Sequence, residues 1–296
     1  MPRQSWEPEP DCAIAQTVSV LGDGWSLLIV RDVARGVRRF DELAAGLHIS
    51  RKVLTERLGQ LVGHGVLDRA PYQERPPRSE YVLTAKGESL LPVLVAMQDW
   101  GDRFVFGDGE LTGLSRHRGP DAARVRGLVG TMVPDLTLPS TVDGTSVVDP
   151  LARRTVLFGY PATGIPTPLP DGWSDIPGAV GCTLENRLFR EAYPRFADAG
   201  VAVHGVSTQR PDEQRAFAAA EDIPFALLSD QDLRLTAALR LPTFRAAEVQ
   251  RIRRVVLVID PDRRVRAVRY PVTDIASTVD WALRTAAEAA RANPCV

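Results

Sequence analysis

Gly181-Cys182-Thr183-Leu184-Glu185 places a thiol at the start of an expected helix, directly after a Pro/Gly-rich loop. A helix N-terminus carries partial positive charge, which favours thiolate over thiol and makes a cysteine nucleophilic. Cys182, Glu185 and Phe189 stand at i, i+3 and i+7, so one helix face carries all of them. The remaining cysteines, Cys12 and Cys295, lie far from Cys182 and from each other. Such spacing does not build a disulfide framework, and no CxxC or Cys/His cluster suggests zinc. No metal and no other cofactor is expected. Redox chemistry or plain packing remain for the thiols.

The elements that must position this thiol occupy only part of the chain. A length of 296 residues is enough for two domains. Apolar residues at 44% and charged residues at 25% fit a soluble globular protein. No apolar run approaches the roughly 20 residues that span a bilayer, so no membrane partner is expected. The N-terminal residues lack the apolar core of a secretory signal, and cytoplasm is the expected compartment. The net charge of −1 argues against a generally basic nucleic-acid binder. From Arg31 to Arg78, however, ten Lys/Arg face six Asp/Glu, a local net of +4. Duplex binding requires only a local basic surface, because phosphate contacts supply the affinity.

Within that basic stretch the periodicity predicts four helices: 12–21, about 25–34, 40–46 and 51–63. Ser50 is the expected N-cap of the fourth. Val53, Leu54, Leu58, Leu61 and Val62 line one side of it, and Arg51, Lys52, Thr55, Glu56 and Arg57 occupy its other faces. Short helix, tight turn, then a helix with a polar N-terminal end is the helix-turn-helix arrangement, whose second helix enters the major groove. Two strands follow, 66–70 and 79–84, joined by a Pro-containing tip with Arg75 and Arg78, suited to phosphate or minor-groove contact. A further amphipathic helix opens at Thr84 and runs through Trp100. The expected DNA-contacting set is Ser50, Arg51, Lys52, Thr55, Arg57, Arg75 and Arg78; Arg51 and Thr55 are favoured over Arg57, whose alternative is a nearby carboxylate.

This half resembles the HxlR family of bacterial winged helix-turn-helix regulators. The resemblance rests on Cys12, Leu21-Gly22-Asp23-Gly24-Trp25-Ser26, Arg31-Asp32, Arg38-Arg39-Phe40, Ser50 to Leu58, Gly65-Val66-Leu67, Pro76 to Thr84 and Lys86-Gly87. It implies a homodimer, formed largely through the first and last helices of the module, on double-stranded operator DNA with two-fold character. In that family the cysteine at the position of Cys12 often senses oxidants or electrophiles; a small buried residue in the dimer-forming helix is the plain alternative.

Behind residue 107 the pattern changes. Residues 107–127 read as a linker region with room for a short helix, between a DNA-binding domain at 1–106 and a second domain at 128–296. There, strands at 155–160, 201–206, 225–228 and 255–260 alternate with helices at 183–198, 211–220 and 275–290. Such alternation indicates a mixed or parallel sheet covered on both faces. The order resembles the thioredoxin-fold peroxiredoxins of the AhpC/TSA class, nearest the bacterioferritin-comigratory type. The residues that carry this are Phe158-Gly159-Tyr160-Pro161, Gly181 to Glu185 with Phe189-Arg190-Glu191, Val206-Ser207, Leu228-Ser229-Asp230 and Val258 to Asp262. The expected fold is therefore two-domain, a winged helix-turn-helix (mainly α with a β-wing) followed by an α/β thioredoxin-like fold. The resemblance makes Cys182 the peroxidatic cysteine, whose thiolate attacks peroxide to give sulfenic acid. It also makes Arg254 the arginine beside that thiolate. Two departures stand out: Ala179 occupies the position of a threonine in an expanded loop, 162–180, and Arg187 occupies that of a local resolving cysteine. Thr163 is a candidate to supply the missing hydroxyl.

Cys12 and Cys295 are the redox-partner candidates for Cys182 within the chain. Three functions follow. The first is an oxidant-responsive transcriptional regulator, with hydrogen peroxide or another oxidant as signal and a Cys12–Cys182 disulfide as coupling. The second is a regulator whose back half is a non-catalytic ligand-binding or dimerisation module. The third is a DNA-binding protein with weak thiol-dependent peroxidase activity, which the missing threonine and resolver weigh against.

Overall fold

The computed structural model describes residues 8–75, 78–114, 119–142 and 144–288. By internal contacts the chain divides into two compact units, Met1–Leu94 and Val95–Val296. Pro76, Pro77 and Cys295 lie outside the described residues.

The first unit opens with α1 (Ala13–Leu21), α2 (Gly24–Ala34), α3 (Phe40–Leu47) and α4 (Arg51–Gly63). Side-chain oxygens cap two of the starts. Asp23 accepts from the Trp25 and Ser26 N–H groups, and Ser50 accepts from Val53 N–H. Each satisfies donors that a helix start leaves unpaired. Ile29, Val30 and Val33 of α2, Leu43 and Leu47 of α3, and Leu54, Leu58 and Leu61 of α4 form one buried cluster. The 3–4 residue spacing of these side chains puts them on facing stripes.

An antiparallel hairpin follows, β1 (Leu67–Gln73) with β2 (Arg78–Leu83). It extends further toward its tip than the sequence pattern suggests, with a register irregularity between Pro71 and Gln73. Pro71 donates no backbone hydrogen bond, and a two-stranded ribbon tolerates that at an edge. The single helix expected from Thr84 to Trp100 is two: α5 (Ala85–Glu88), capped by Thr84, and α6 (Leu91–Trp100). Pro92 explains the break, since proline fits the first turn of a helix and not its interior.

The second unit holds α7 (Pro120–Arg126), β3 (Thr137–Leu138), β4 (Thr145–Ser146), β5 (Arg154–Gly159), α8 (Cys182–Asp198), β6 (Val201–Ser207), α9 (Pro211–Ala220) and β7 (Ala226–Ser229). It continues with α10 (Arg234–Leu239), β8 (Thr243–Ala246), β9 (Val249–Ile252), β10 (Val255–Ile259), β11 (Val265–Arg269) and α11 (Ile275–Ala287). The central sheet has the order β11-β10-β5-β6-β7. Strands β5, β6 and β7 are parallel, and β10 is antiparallel to both β5 and β11. A β-α-β unit followed by a β-β-α unit in this order is the thioredoxin-type arrangement.

Alternation along the strands sorts the two faces. Val156, Phe158, Val203, Val256 and Val258 pack with Phe189 and Phe196 of α8, Phe217 of α9 and Val279 and Ala282 of α11. Leu157, Val206, Leu257 and Ile259 pack on the opposite side with Leu235 and Leu239 of α10. Ala122 and Val125 of α7 are fully buried in that second cluster. The segment 107–127, expected as a linker, thus contributes to the core of the second unit. Among the described residues no single helix is long and apolar enough to cross a membrane.

Candidate functional site

Helix α8 begins at Cys182 because Gly181 ends the preceding loop at φ 106°, a left-handed conformation that disfavours other residues. A Cβ on Gly181 would also stand 3.1 Å from Ile275 Cδ1, a tight contact beside the angular preference. The start has no side-chain cap. Asn186 Nδ2 donates to the Cys182 carbonyl at 2.9 Å, and Phe189 stacks on Phe158 with centroids 4.1 Å apart. These contacts fix the first turn against β5.

Strand β10 sets the other half of the site. Arg254, the residue before it, is 5% exposed and turned toward the start of α8. Its Nη2 lies 3.2 Å from Cys182 Sγ and 3.3 Å from the Ala179 carbonyl oxygen. Its Nε donates to Glu185 Oε2 at 3.1 Å, and its Nη1 donates to the Gly178 carbonyl. Cys182 Sγ in turn donates to the Ala179 carbonyl at 3.6 Å, and the Ala162 backbone N–H is directed at the sulfur. The sequence-expected pair, Cys182 and Arg254, is therefore in direct contact.

Burial governs the electrostatics. Cys182 is 3% exposed, and its thiol is pushed up to about 11. Desolvation of the thiolate is the main cause; Arg254 and the Ala162 N–H pull down, and Glu185 pushes up. The helix N-terminus alone suggests an activated thiolate, whereas the closed site holds the thiol form. Glu185 is fully buried, and burial raises its carboxyl to about 7 against the pull of Arg254. Burial likewise pushes the Tyr160 phenol above its ordinary range.

The cover over the sulfur is the expanded loop. Ala162, Trp173 and Ala179 cluster with Phe244 and Ala246 of β8, and Leu111, Leu169 and Ile176 pack against them. Trp173 and Phe244 have ring centroids 6.0 Å apart. Thr163 is buried beside Ala162, but its hydroxyl donates to Gln209 Oε1 at 3.2 Å. Arg187, where a local resolving cysteine would stand, makes a two-pronged ion pair with Glu221, at 2.7 and 2.8 Å. That partner neutralises it, so it does not add positive potential at the sulfur.

In the first unit, Cys12 caps α1: its sulfur accepts from Ala15 N–H at 3.5 Å. Both Cys12 and Cys182 are free thiols. On α4, Arg51, Lys52 and Thr55 are exposed, with Arg51 Nη1 bonded to Asp41 at 2.7 Å and stacked over Phe40. Thr55 Oγ1 donates to the Arg51 carbonyl. Arg57 differs from the rest of the expected set. Its Nε donates to Asp23 Oδ2 at 2.9 Å and its Nη1 to Gln60 and Glu56, and its side chain is 21% exposed. Arg57 therefore braces the start of α2. Arg75 and Arg78 are exposed at the hairpin tip. Among the described residues no cluster of His, Cys, Asp and Glu has the geometry to hold a metal ion.

Comparison with known proteins finds a different family for each of two stretches of the chain. The HxlR-like helix-turn-helix family matches residues 20–107, and the AhpC/TSA family matches residues 177–268. An uncharacterized HTH-type transcriptional regulator of Mycobacterium bovis is 41% identical over 93 residues, which are 31% of this chain and 59% of that protein. A regulator of the same description from Synechocystis is 45% identical over 30% of this chain and 67% of its own length. The Bacillus subtilis regulator YvaP is 38% identical over 30% of this chain and 84% of its own. The solved peroxidoxin BcpB of Mycobacterium tuberculosis is 27% identical with a TM-score of 0.45, covering 53% of this chain and 95% of that one. By its front region the chain belongs to the HxlR-like helix-turn-helix family, and behind it the chain carries an AhpC/TSA peroxiredoxin-like domain.

Proposed function

We propose that this protein is an oxidant-responsive, DNA-binding transcriptional regulator of the cytoplasm in which Cys182 is the reactive thiol. The observation that carries the reading is Arg254 held 3.2 Å from Cys182 Sγ at the start of α8, in a chain that also carries a helix-turn-helix module. In the reactive step the Cys182 thiolate attacks one peroxide oxygen. The O–O bond breaks, water or an alcohol leaves with the second oxygen, and the sulfur becomes sulfenic acid. Condensation with the Cys12 thiol then forms a disulfide and releases water. Cys12 and Cys182, both free and reduced in this structure, are compatible with such a resting state.

The partners of Arg187 and Thr163 favour a sensor over an enzyme that turns over rapidly. Burial raises the Cys182 thiol to about 11 and holds it in the thiol form at neutral pH. Arg187 and Thr163 are committed to Glu221 and Gln209, which leaves neither a local resolver nor the family's hydroxyl arrangement at the sulfur. For DNA, the reading uses α4 as the recognition helix, with Arg51, Lys52 and Thr55 toward bases and Arg75 and Arg78 toward phosphates. Homodimerisation is supported by apolar side chains left exposed on α1, Ile14 at 77% and Val18 at 48%, and on α6, Met97 at 50% and Trp100 at 60%.

The burial of Cys182 also favours a second reading, a peroxiredoxin-like unit that only binds a ligand or dimerises. Peroxide treatment followed by non-reducing peptide mapping separates the two. The sensor reading expects a linked Cys12–Cys182 peptide that disappears with reductant. A chain in which Cys182 stays an unmodified thiol supports the non-catalytic unit.

A further inference from the structure

Hairpin β8–β9 brings a second arginine to the cover of the thiol. Phe244 and Arg251 are cross-strand partners, so their side chains share one face of the hairpin. That face meets Trp173: the Phe244 ring lies 6.0 Å from it, and the Arg251 guanidinium lies over it at 5.7 Å. Ala162 and Ala179, whose backbone groups meet the Cys182 sulfur, belong to the same cluster.

Arg251 differs from Arg254 in its partners. Arg254 spends its donors on Glu185, Gly178, Ala179 and Cys182. Among the described residues Arg251 has no carboxylate within ion-pairing distance, and its buried Nε has no acceptor. Glu213 attracts it only from further away, and that carboxylate already receives Arg210 N–H and the Thr167 hydroxyl. The buried Trp173 Nε1–H also lacks an acceptor. A buried donor without an acceptor is costly, and the Arg251 Nε–H, on the unneutralised cation, and the Trp173 Nε1–H, on the ring it lies over, mark a place that an anionic oxygen would stabilise. Burial holds Arg251 below its ordinary value, and a thiolate at Cys182 would pull it back up, which puts the cation within electrostatic reach of the sulfur.

We propose that Arg251, with Trp173 and Phe244, anchors a carboxylate-bearing organic hydroperoxide so that its peroxide group reaches Cys182. The proposal rests on the sensor reading and names the substrate class of that site. A planar guanidinium receives a carboxylate through two parallel hydrogen bonds, and Arg251, half-buried over Trp173, keeps part of its surface open to receive one. The thiolate then attacks the terminal peroxide oxygen and becomes sulfenic acid. The O–O bond breaks, and the organic alkoxide leaves and takes a proton to become the alcohol.

Para-isopropylbenzoate, which carries the carboxylate and no peroxide, tests the anchor without oxidation. Calorimetry is expected to show saturable binding to the reduced protein, weakened at least about tenfold in Arg251→Gln and partly retained in Arg251→Lys. The second arm compares Cys182 oxidation by cumene hydroperoxide and by its para-carboxy derivative, followed by mass spectrometry. Circular dichroism and thermal unfolding of each protein accompany the ratio of the two rates, because an unfolded fraction exposes Cys182 and reacts without selectivity. The ratio is expected to favour the carboxylated peroxide in the wild type and to fall toward unity in Arg251→Gln. No binding to the wild type, or equal binding to wild type and Arg251→Gln, overturns the anchor, as does a ratio that survives the substitution. Operator affinity measured on the same samples separates the two readings. Selective oxidation without a change in DNA binding sinks the sensor and leaves the anchor; a DNA response to hydrogen peroxide with no carboxylate preference does the reverse.

Discussion

Arg254 Nε donates to Glu185 Oε2 at 3.1 Å, so the cation nearest the Cys182 thiol is shared with a buried carboxylate. The two acidic groups compete for one positive charge. Glu185 draws the guanidinium toward itself and, as a carboxylate, raises the thiol. The pair sets both the resting state of the sulfur and the stability of the domain around it.

Replacing Arg254 by leucine leaves Glu185 buried beside an uncharged side chain. Breaking one partner of a buried pair costs about 3–5 kcal/mol, which denaturant unfolding of the variant will register. Oxidation of Cys182 by peroxide should slow in the same protein, because the cation that favours the thiolate is gone. Arg254→Lys, which keeps a charge but not the fork of donors, is expected to fall between.

Glu185 in the folded protein titrates at about 7, above its ordinary 4.5. The folded state therefore binds its proton more tightly than the unfolded chain. Its contribution to stability is complete below about 4.5 and is lost as pH rises through 7. Asp230, raised by burial to about 6, acts in the same direction; His204, lowered by burial, acts in the opposite one. Glu185→Gln should remove one part of this profile, so that the variant loses less stability than the wild type between pH 5 and 8. The Cys182 thiol should also titrate below the wild-type value, read by thiolate ultraviolet absorbance.

Much of this arrangement is legible before any coordinates. Ser50, Thr84 and the apolar spacing of α4 delimit the helix-turn-helix because caps and periodicity are local signals. Cys182 at a helix start follows from the Gly181 boundary. The β8–β9 hairpin with Phe244 and Arg251 is not legible. Its turn residues, Ala247 and Glu248, both adopt positive φ, where the usual sequence signal is Asn-Gly or Asp-Gly. Helix α10 is hidden for a similar reason: Leu233 precedes it, and the capping carboxylate is Asp230, further back in the chain. The state of the thiol is the larger lesson. Helix-end charge is a local term, whereas the burial of Cys182 against the 162–180 loop and Arg254 is a tertiary one, and its desolvation outweighs that charge.

Arg51 and Arg57 sit on the same helix but are expected to respond oppositely. Arg51→Ala removes an exposed cation from α4, the proposed recognition helix, so DNA affinity should drop and the salt slope should shrink by about 1. Arg57→Ala breaks the bond to Asp23, with an expected loss of about 1 kcal/mol in stability. Binding titrations at several salt concentrations, beside thermal unfolding, distinguish the two.

Trp173→Ala takes the largest side chain out of the cover. A cavity of that kind costs about 3–5 kcal/mol when the site does not collapse. The informative readout is access: alkylation of Cys182 by iodoacetamide should accelerate in the variant, while alkylation of Cys12 stays at the wild-type rate.

The central claim is that oxidation of Cys182 changes DNA binding. Its most direct measurement is operator affinity before and after stoichiometric peroxide, for wild type and Cys182→Ser, with reductant added at the end. The account predicts a wild-type affinity that shifts with peroxide and recovers with reductant, and a serine variant that does not respond. A serine variant that responds as the wild type does would contradict it.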